Sequence, residues 1–211
     1  MQTTTAYLQR VEPALERAAG RFRELVTSAP DPDTRVPGAD WTVRDVAAHV
    51  ATVVPRYADG PEGRGDWAAR PPDLAAINQR QIEALGPAGI DDLAGRLGRD
   101  VAALAAQVRS YGDRPPSFRF HGGETVRADA ALGILLGELI VHGWDVARAT
   151  GQEFRTDEQT ATALEDIVQA QAELFRKYQG FADAVEPPEN ATAFERALTL
   201  SGRDPGWAPA S

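Results

Sequence analysis

Residues 137–152 read GELIVHGWDVARATGQ. Apolar residues recur here at helical rather than alternating spacing, and Thr150-Gly151 supplies a stop signal, so a helix is expected from about Arg127 to Ala149. Glu138 and His142 stand four residues apart inside it. On an α-helix that spacing puts both side chains on one face, about 40° apart and roughly 6 Å along the axis. A carboxylate and an imidazole so placed can share one metal ion, and a third ligand must then come from elsewhere in the chain.

The chain has only three histidines. His49 lies on a second amphipathic segment, three residues after Val46 and four before Val53. That segment starts near Thr42, where Thr42 and Asp45 form a capping-box-like pair and Asp45 also suits the positive end of the helix dipole. Pro55 lies near its end. Glu138 and His142 continue from Ile134 in steps of four, so all three groups fall on or near core-facing stripes. Burying a lone carboxylate or an unpaired imidazolium there is costly. A divalent metal shared by His49, Glu138 and His142 removes both costs, and three such ligands with open positions make a catalytic rather than a closed structural site.

Plainer readings remain open on spacing alone. A histidine on an apolar face is more often a hydrogen-bonded core residue than a ligand. A Glu and a His at i, i+4 can simply pair with each other on a helix surface. Glu138 can also serve as a general base beside a metal, although the HExxH metalloprotease motif is absent. His121 sits in the loop SFRFHGGE outside any periodic pattern, which fits an exposed or loop-packing role at the mouth of a site at most.

The rest of the chain is also helical in pattern. Leu8, Val11, Leu15, Phe22, Leu25 and Val26 mark a helix over about Thr5–Thr27, and Pro30, Pro32 and Pro37 a loop. Further helices are expected over about 73–85, 91–111, 157–178 and 190–200, with Gly- and Pro-rich loops at 59–72 and 114–123. Phe118 and Phe120 suit a short extended piece in the second loop. The expected fold class is all-α: an antiparallel helical bundle over 1–155 with a C-terminal helical extension over 156–211 packed on it.

Composition narrows the function. The 211 residues carry 22 Lys and Arg against 31 Asp and Glu, a formal net charge of −9, which argues against nucleic-acid or anionic-membrane binding. No run approaches the roughly 18 apolar residues of a membrane span, and the N-terminus lacks a secretion-signal pattern, so a cytoplasmic protein is expected. With no cysteine, any thiol chemistry needs a thiol from solution.

The segments DWTVRDVAAHV (Asp40 to Val50) and GELIVHGWDVARATGQ (Gly137 to Gln152) resemble the two signatures of the DinB-like, mycothiol-dependent maleylpyruvate isomerase N-terminal domain family. The likeness includes the Trp-Thr-Val-Arg-Asp start, the histidine six residues after Val43, and the Glu, His-Gly-Trp-Asp and Ala-Thr-Gly run. Between the signatures it extends only to helical layout and length. The tail Ser201-Gly202-Arg203-Asp204-Pro205 is similar to endings in a short metal-binding subgroup.

The resemblance implies a DinB-like four-helix bundle and a divalent metal, usually zinc (Zn2+), held by His49, Glu138 and His142. It implies that the metal engages the sulfur of mycothiol or a similar low-molecular-weight thiol, which then attacks an electrophilic small molecule in an isomerase or S-transferase reaction. The characterised isomerase carries a further C-terminal α/β domain, whereas only 59 helical-patterned residues follow Gln152 here, so part of the substrate pocket is expected to differ. The alternative is a non-catalytic metal- or ligand-binding bundle with a stress-response or regulatory role; a homodimer is compatible with either.

Two more residues are candidates for a catalytic role. Asp145, seven residues after Glu138, can orient a ligand from behind or make a helix-packing hydrogen bond. Arg56, seven residues after His49, can meet an anionic substrate, although a surface salt bridge is the commoner fate of such an arginine. Trp144 points away from the ligand face and is expected to pack between helices.

Overall fold

A helix that is apolar on every side must be surrounded, and this requirement organises the molecule. The computed structural model describes residues 4–37, 40–64, 74–86, 88–120 and 124–208. Its helices are α1 (Thr4–Thr27), α2 (Val43–Asp59), α3 (Leu74–Ala84), α4 (Ile90–Ser110), α5 (Ala128–Thr150), α6 (Glu158–Lys177) and α7 (Ala193–Leu200). Helix α5 carries Leu132, Leu135, Leu136, Leu139 and Val146, all essentially inaccessible. Helices α1, α2, α4 and α5 form the bundle, α3 leans on α2, α6 packs on α5, and α7 on α6.

By length and composition α5 is apolar enough to cross a membrane, contrary to the expectation that no run comes close. The bundle accounts for its character, because 83% of that window is buried against other parts of the fold. The other main helices bury single stripes. Helix α1 turns Leu8, Val11, Leu15, Phe22, Leu25 and Val26 inward, and α4 turns Leu93, Leu97, Val101, Leu104 and Val108.

Helix ends follow local chemistry. Thr42 caps α2 by accepting from Asp45 N at 3.2 Å, while Asp45 Oδ2 accepts from Thr42 N at 2.9 Å. Gly151 ends α5 at φ +69°, a left-handed position that glycine adopts without strain. Pro55 does not end α2, which continues to Asp59 and passes into a short 3-10 turn at Gly60–Glu62. Helix α7 starts later than its sequence pattern suggests, because Thr192 and Glu195 form a capping box and Asn190 turns at φ +64°.

The expected extended piece at Phe118 is a strand, β1 (Ser117–Arg119). It pairs antiparallel with an unanticipated β2 (Thr125–Arg127), with Phe118 opposite Val126. Phe118 and Phe120 are buried against the bundle, which fixes the hairpin to the helical core. His121 lies outside the described residues.

Candidate metal centre

Helices α2 and α5 pack side by side and bring His49 to Glu138 and His142. One donor atom from each of the three lies within 4.8 Å of the others. Glu138 Oε2 is 3.4 Å from His49 Nε2 and 3.2 Å from His142 Nε2. Bonds of about 2.0–2.2 Å at tetrahedral angles separate neighbouring donors by roughly 3.3 Å. The donor set is two imidazole nitrogens and one carboxylate, suited to zinc and similar divalent ions, and the spacing fits such an ion.

Ring orientation is set from behind. Asp145 Oδ2 lies 3.1 Å from His142 Nδ1 and so directs Nε2 toward Glu138. Asp145 is in turn gripped by Arg203, whose Nη2 and Nε donate to Oδ2 and Oδ1 at 3.0 and 3.3 Å. Burial pushes the Asp145 carboxyl up, but Arg203 and His142 outweigh it and hold it below its ordinary value. His49 has no matching support, since its Nδ1 is buried without a hydrogen-bond partner. Instead the Trp41 ring packs on it at a centroid distance of 4.8 Å.

Without a metal the three groups divide their protons unequally. Burial lowers His49 to about 4, overriding its contact with Glu138. Burial also acts downward on His142, but Asp145 and Glu138 overcome it and raise this ring to about 9. Glu138 is pushed up by burial, yet the two imidazoles hold it well below the carboxylate range. The metal-free cluster is therefore a neutral His49, a carboxylate and an imidazolium bridging Glu138 to Asp145.

The cluster opens into a cavity of about 960 Å³. Beyond α2 and α5, its walls come from Asn78 of α3, Phe175 and Arg176 of α6, and the C-terminal segments at 180–183 and 201–203. The C-terminal residues thus complete one side of the chamber. Helical spacing does not reveal Trp41, Asn78 or Arg203 as site residues. Trp41 immediately before the capping Thr42 and the Arg in the quoted tail are the available signals.

Arg56 departs from the commoner expectation. It is 4% exposed, makes no salt bridge among the described residues and lines the cavity. Trp144 is buried away from the cluster with Arg148 over its ring at 5.7 Å, as an interhelix packing role requires.

Comparisons with known proteins agree with this layout. The sequence pattern of the mycothiol maleylpyruvate isomerase N-terminal domain matches residues 13–147. Uncharacterized proteins from two strains of Mycobacterium tuberculosis are each 28% identical over 197 residues, covering 90% of this chain and 96% of theirs. The crystal structure of a histidine-to-alanine mutant of the mycothiol-dependent maleylpyruvate isomerase shares the fold. It superposes with a TM-score of 0.58 at 15% identity, covering 80% of this chain and 72% of that one. The chain belongs to the mycothiol maleylpyruvate isomerase N-terminal domain family.

Proposed function

We propose that this protein is a metal-dependent enzyme that activates a low-molecular-weight thiol of the mycothiol type for addition to an electrophilic small molecule, as an isomerase or an S-transferase. The observation that carries the reading is the convergence of His49, Glu138 and His142 within 4.8 Å at the wall of a 960 Å³ cavity. His49, Glu138 and His142 would hold the ion, with Zn2+ favoured by the donor set. When bound, it would supply Lewis acidity that lowers a thiol's pKa and makes the thiolate available at neutral pH.

The chain's own residues prepare that chemistry. Asp145 and Arg203 fix the His142 ring, so its Nε2 stays aimed at the shared position. Trp41 covers the His49 ring. The chain contains no cysteine, so the reacting sulfur comes from the cosubstrate. The thiol loses its proton, its sulfur bonds to an electrophilic carbon conjugated with a carbonyl, and the electron pair moves onto the carbonyl as an enolate. Rotation followed by loss of the thiolate returns an isomer. Protonation of the enolate instead yields the S-adduct. A cytoplasmic location belongs to the same proposal, since it supplies reduced thiols.

The test is to incubate metal-loaded protein with mycothiol and a panel of electrophiles, following free thiol and adduct masses. Metal-dependent thiol consumption, or thiol-dependent cis–trans conversion, is expected with at least one. Fully metal-loaded protein that is inert toward the whole panel would instead favour a non-catalytic binding bundle.

A further inference from the structure

Two stretches of the C-terminal extension close one side of the cavity, residues 180–183 before α7 and 201–203 after it. Neither is helix or strand, and residues 182–190 are exposed throughout. Their apolar anchorage is small. Phe181 stacks on Phe175 at a centroid distance of 5.0 Å, and α7 between the two stretches buries Ala197, Leu198 and Thr199. Arginines add polar ties. Arg148 Nη2 donates to the carbonyl oxygens of Pro205, at 3.1 Å, and Trp207. Arg176 Nη2 donates to Leu200 O at 2.6 Å, and Arg196 pairs with Glu165.

The two stretches meet at Gly202. Its φ of +83° is a left-handed value, and a Cβ there would lie 2.7 Å from Ala182 Cβ and 3.0 Å from Asp183 O, which only glycine avoids. Arg203, the next residue, stands at the junction. Its guanidinium lies 6.0 Å from the Phe181 ring centroid and its Nη1 donates to Ser201 O at 3.1 Å. Its Nε and Nη2 reach Asp145. Of these ties, only the one to Asp145 leads to the metal cluster, because Asp145 also holds His142 Nδ1.

A ring whose Nε2 is bound to an ion can no longer tilt about that end. Nδ1 and the Asp145 carboxylate then come to rest and present Arg203 with two fixed acceptors. A two-point, charge-assisted contact depends on such placement. Segments with little buried apolar surface are those that open first, and binding at one end of a coupled pair biases the other end by the same factor.

We propose that residues 180–207 form a strap whose seating is coupled to metal occupancy through Arg203, so that a filled cluster holds this wall closed and an empty one lets it open. The inference rests on the metal-site part of the reading above and not on thiol addition. The wall around the reactants is therefore completed only in loaded protein.

Hydrogen exchange followed by mass spectrometry, on chelator-treated and zinc-loaded wild-type protein with zinc content measured alongside, tests the coupling. The amide bonds from Val185 N to Thr199 O and from Arg203 N to Leu198 O report on the two stretches. Zinc is expected to slow exchange in peptides over 180–185 and 201–207 by about fivefold or more, and to slow α1 and α4, which do not line the cavity, by less. Arg203→Met removes the link, so strap exchange should become indifferent to zinc and zinc affinity should fall by the same factor. Gly202→Ala, which forces the two stretches apart without removing the Asp145 partner, should also weaken zinc binding. Circular dichroism establishes that each variant is folded; if Arg203→Met is not, Gly202→Ala and the wild-type comparison decide. Equal strap exchange with and without zinc, in protein holding one ion per chain, overturns the coupling, as does wild-type zinc affinity in folded Arg203→Met. Protein that takes up no zinc would sink the metal site itself and this proposal with it.

Discussion

Arg203 Nη2 lies 3.0 Å from Asp145 Oδ2, the same oxygen that holds His142 Nδ1. A residue 58 positions away in the sequence therefore helps to set the direction of a ring on α5. The C-terminal segment is coupled to the cluster by charge-assisted hydrogen bonds between largely buried groups.

Asp145→Asn keeps the shape of this support but weakens it, since the amide lacks the charge that attracts both the ring and Arg203. Zinc affinity, measured by competition with a chromophoric chelator, is expected to fall roughly 10–100-fold, the usual cost of losing a group that orients a ligand. An affinity equal to wild type would show that the His142 ring needs no such orientation.

The start of α2 offers an independent test of how the fold presents His49. Thr42→Ala removes the acceptor for Asp45 N and half of the reciprocal box. A stability loss of about 0.5–2 kcal/mol is expected in urea denaturation, with an unchanged m-value. Because His49 is also held by packing against Trp41 and α5, metal stoichiometry should remain that of wild type.

That cap was legible in the sequence, as was the helical layout, because both depend on periodicity and short-range chemistry. The convergence of His49 with the Glu138–His142 pair, 89 residues from His49 to Glu138, came only with the resemblance to the family, since spacing alone left each group free to be an ordinary core or surface residue. Arg56 was harder to read, because arginine is rarely buried and a residue seven beyond His49 is equally compatible with a surface position. Only the placement of α3, which brings Asn78 against it, shows that it faces a cavity. Arg203 was hidden for a related reason, since it acquires its role through a partner 58 residues away. Helix α5 was read as carrying a stripe, but burial on all sides removes the contrast between faces that a stripe needs.

The N-termini of α1 and α5 are joined by a carboxylate whose pH response has a definite sign. Asp129 accepts from Thr4 Oγ1 at 3.1 Å and from Arg127 Nη2 at 2.6 Å. Burial raises this carboxyl, but Arg127 and Thr4 more than compensate and hold it below its ordinary 3.8. A depressed folded-state value contributes stability that is present above the unfolded value and lost as pH falls through the folded one. Asp129→Asn should therefore cost about 1–3 kcal/mol at pH 7. The gap between variant and wild type should narrow as the pH is lowered below 3.8. Parallel denaturation series at several pH values measure that gap; a constant gap would mean that the carboxylate's charge contributes nothing.

Trp41 gives the cluster an optical reporter. Its ring centroid is 4.8 Å from His49 and 6.1 Å from His142. In metal-free protein at neutral pH the His142 ring, raised to about 9 by Asp145 and Glu138 despite its burial, is an imidazolium, and a protonated imidazole quenches a nearby indole. A metal binds only the unprotonated ring nitrogen and so displaces that proton. Zinc has a filled d shell and no redox chemistry of its own. Its binding should therefore raise tryptophan emission rather than quench it. Among the described residues it is the Trp41 ring that meets the two imidazoles, while Trp144 is buried beneath Arg148, so the change should be carried by Trp41. Trp41→Phe loses no donor atom and is expected to bind zinc by elemental analysis while losing the emission change. A full emission response in that variant would assign the signal to another tryptophan and break the link between the Trp41 contact and the charge on His142.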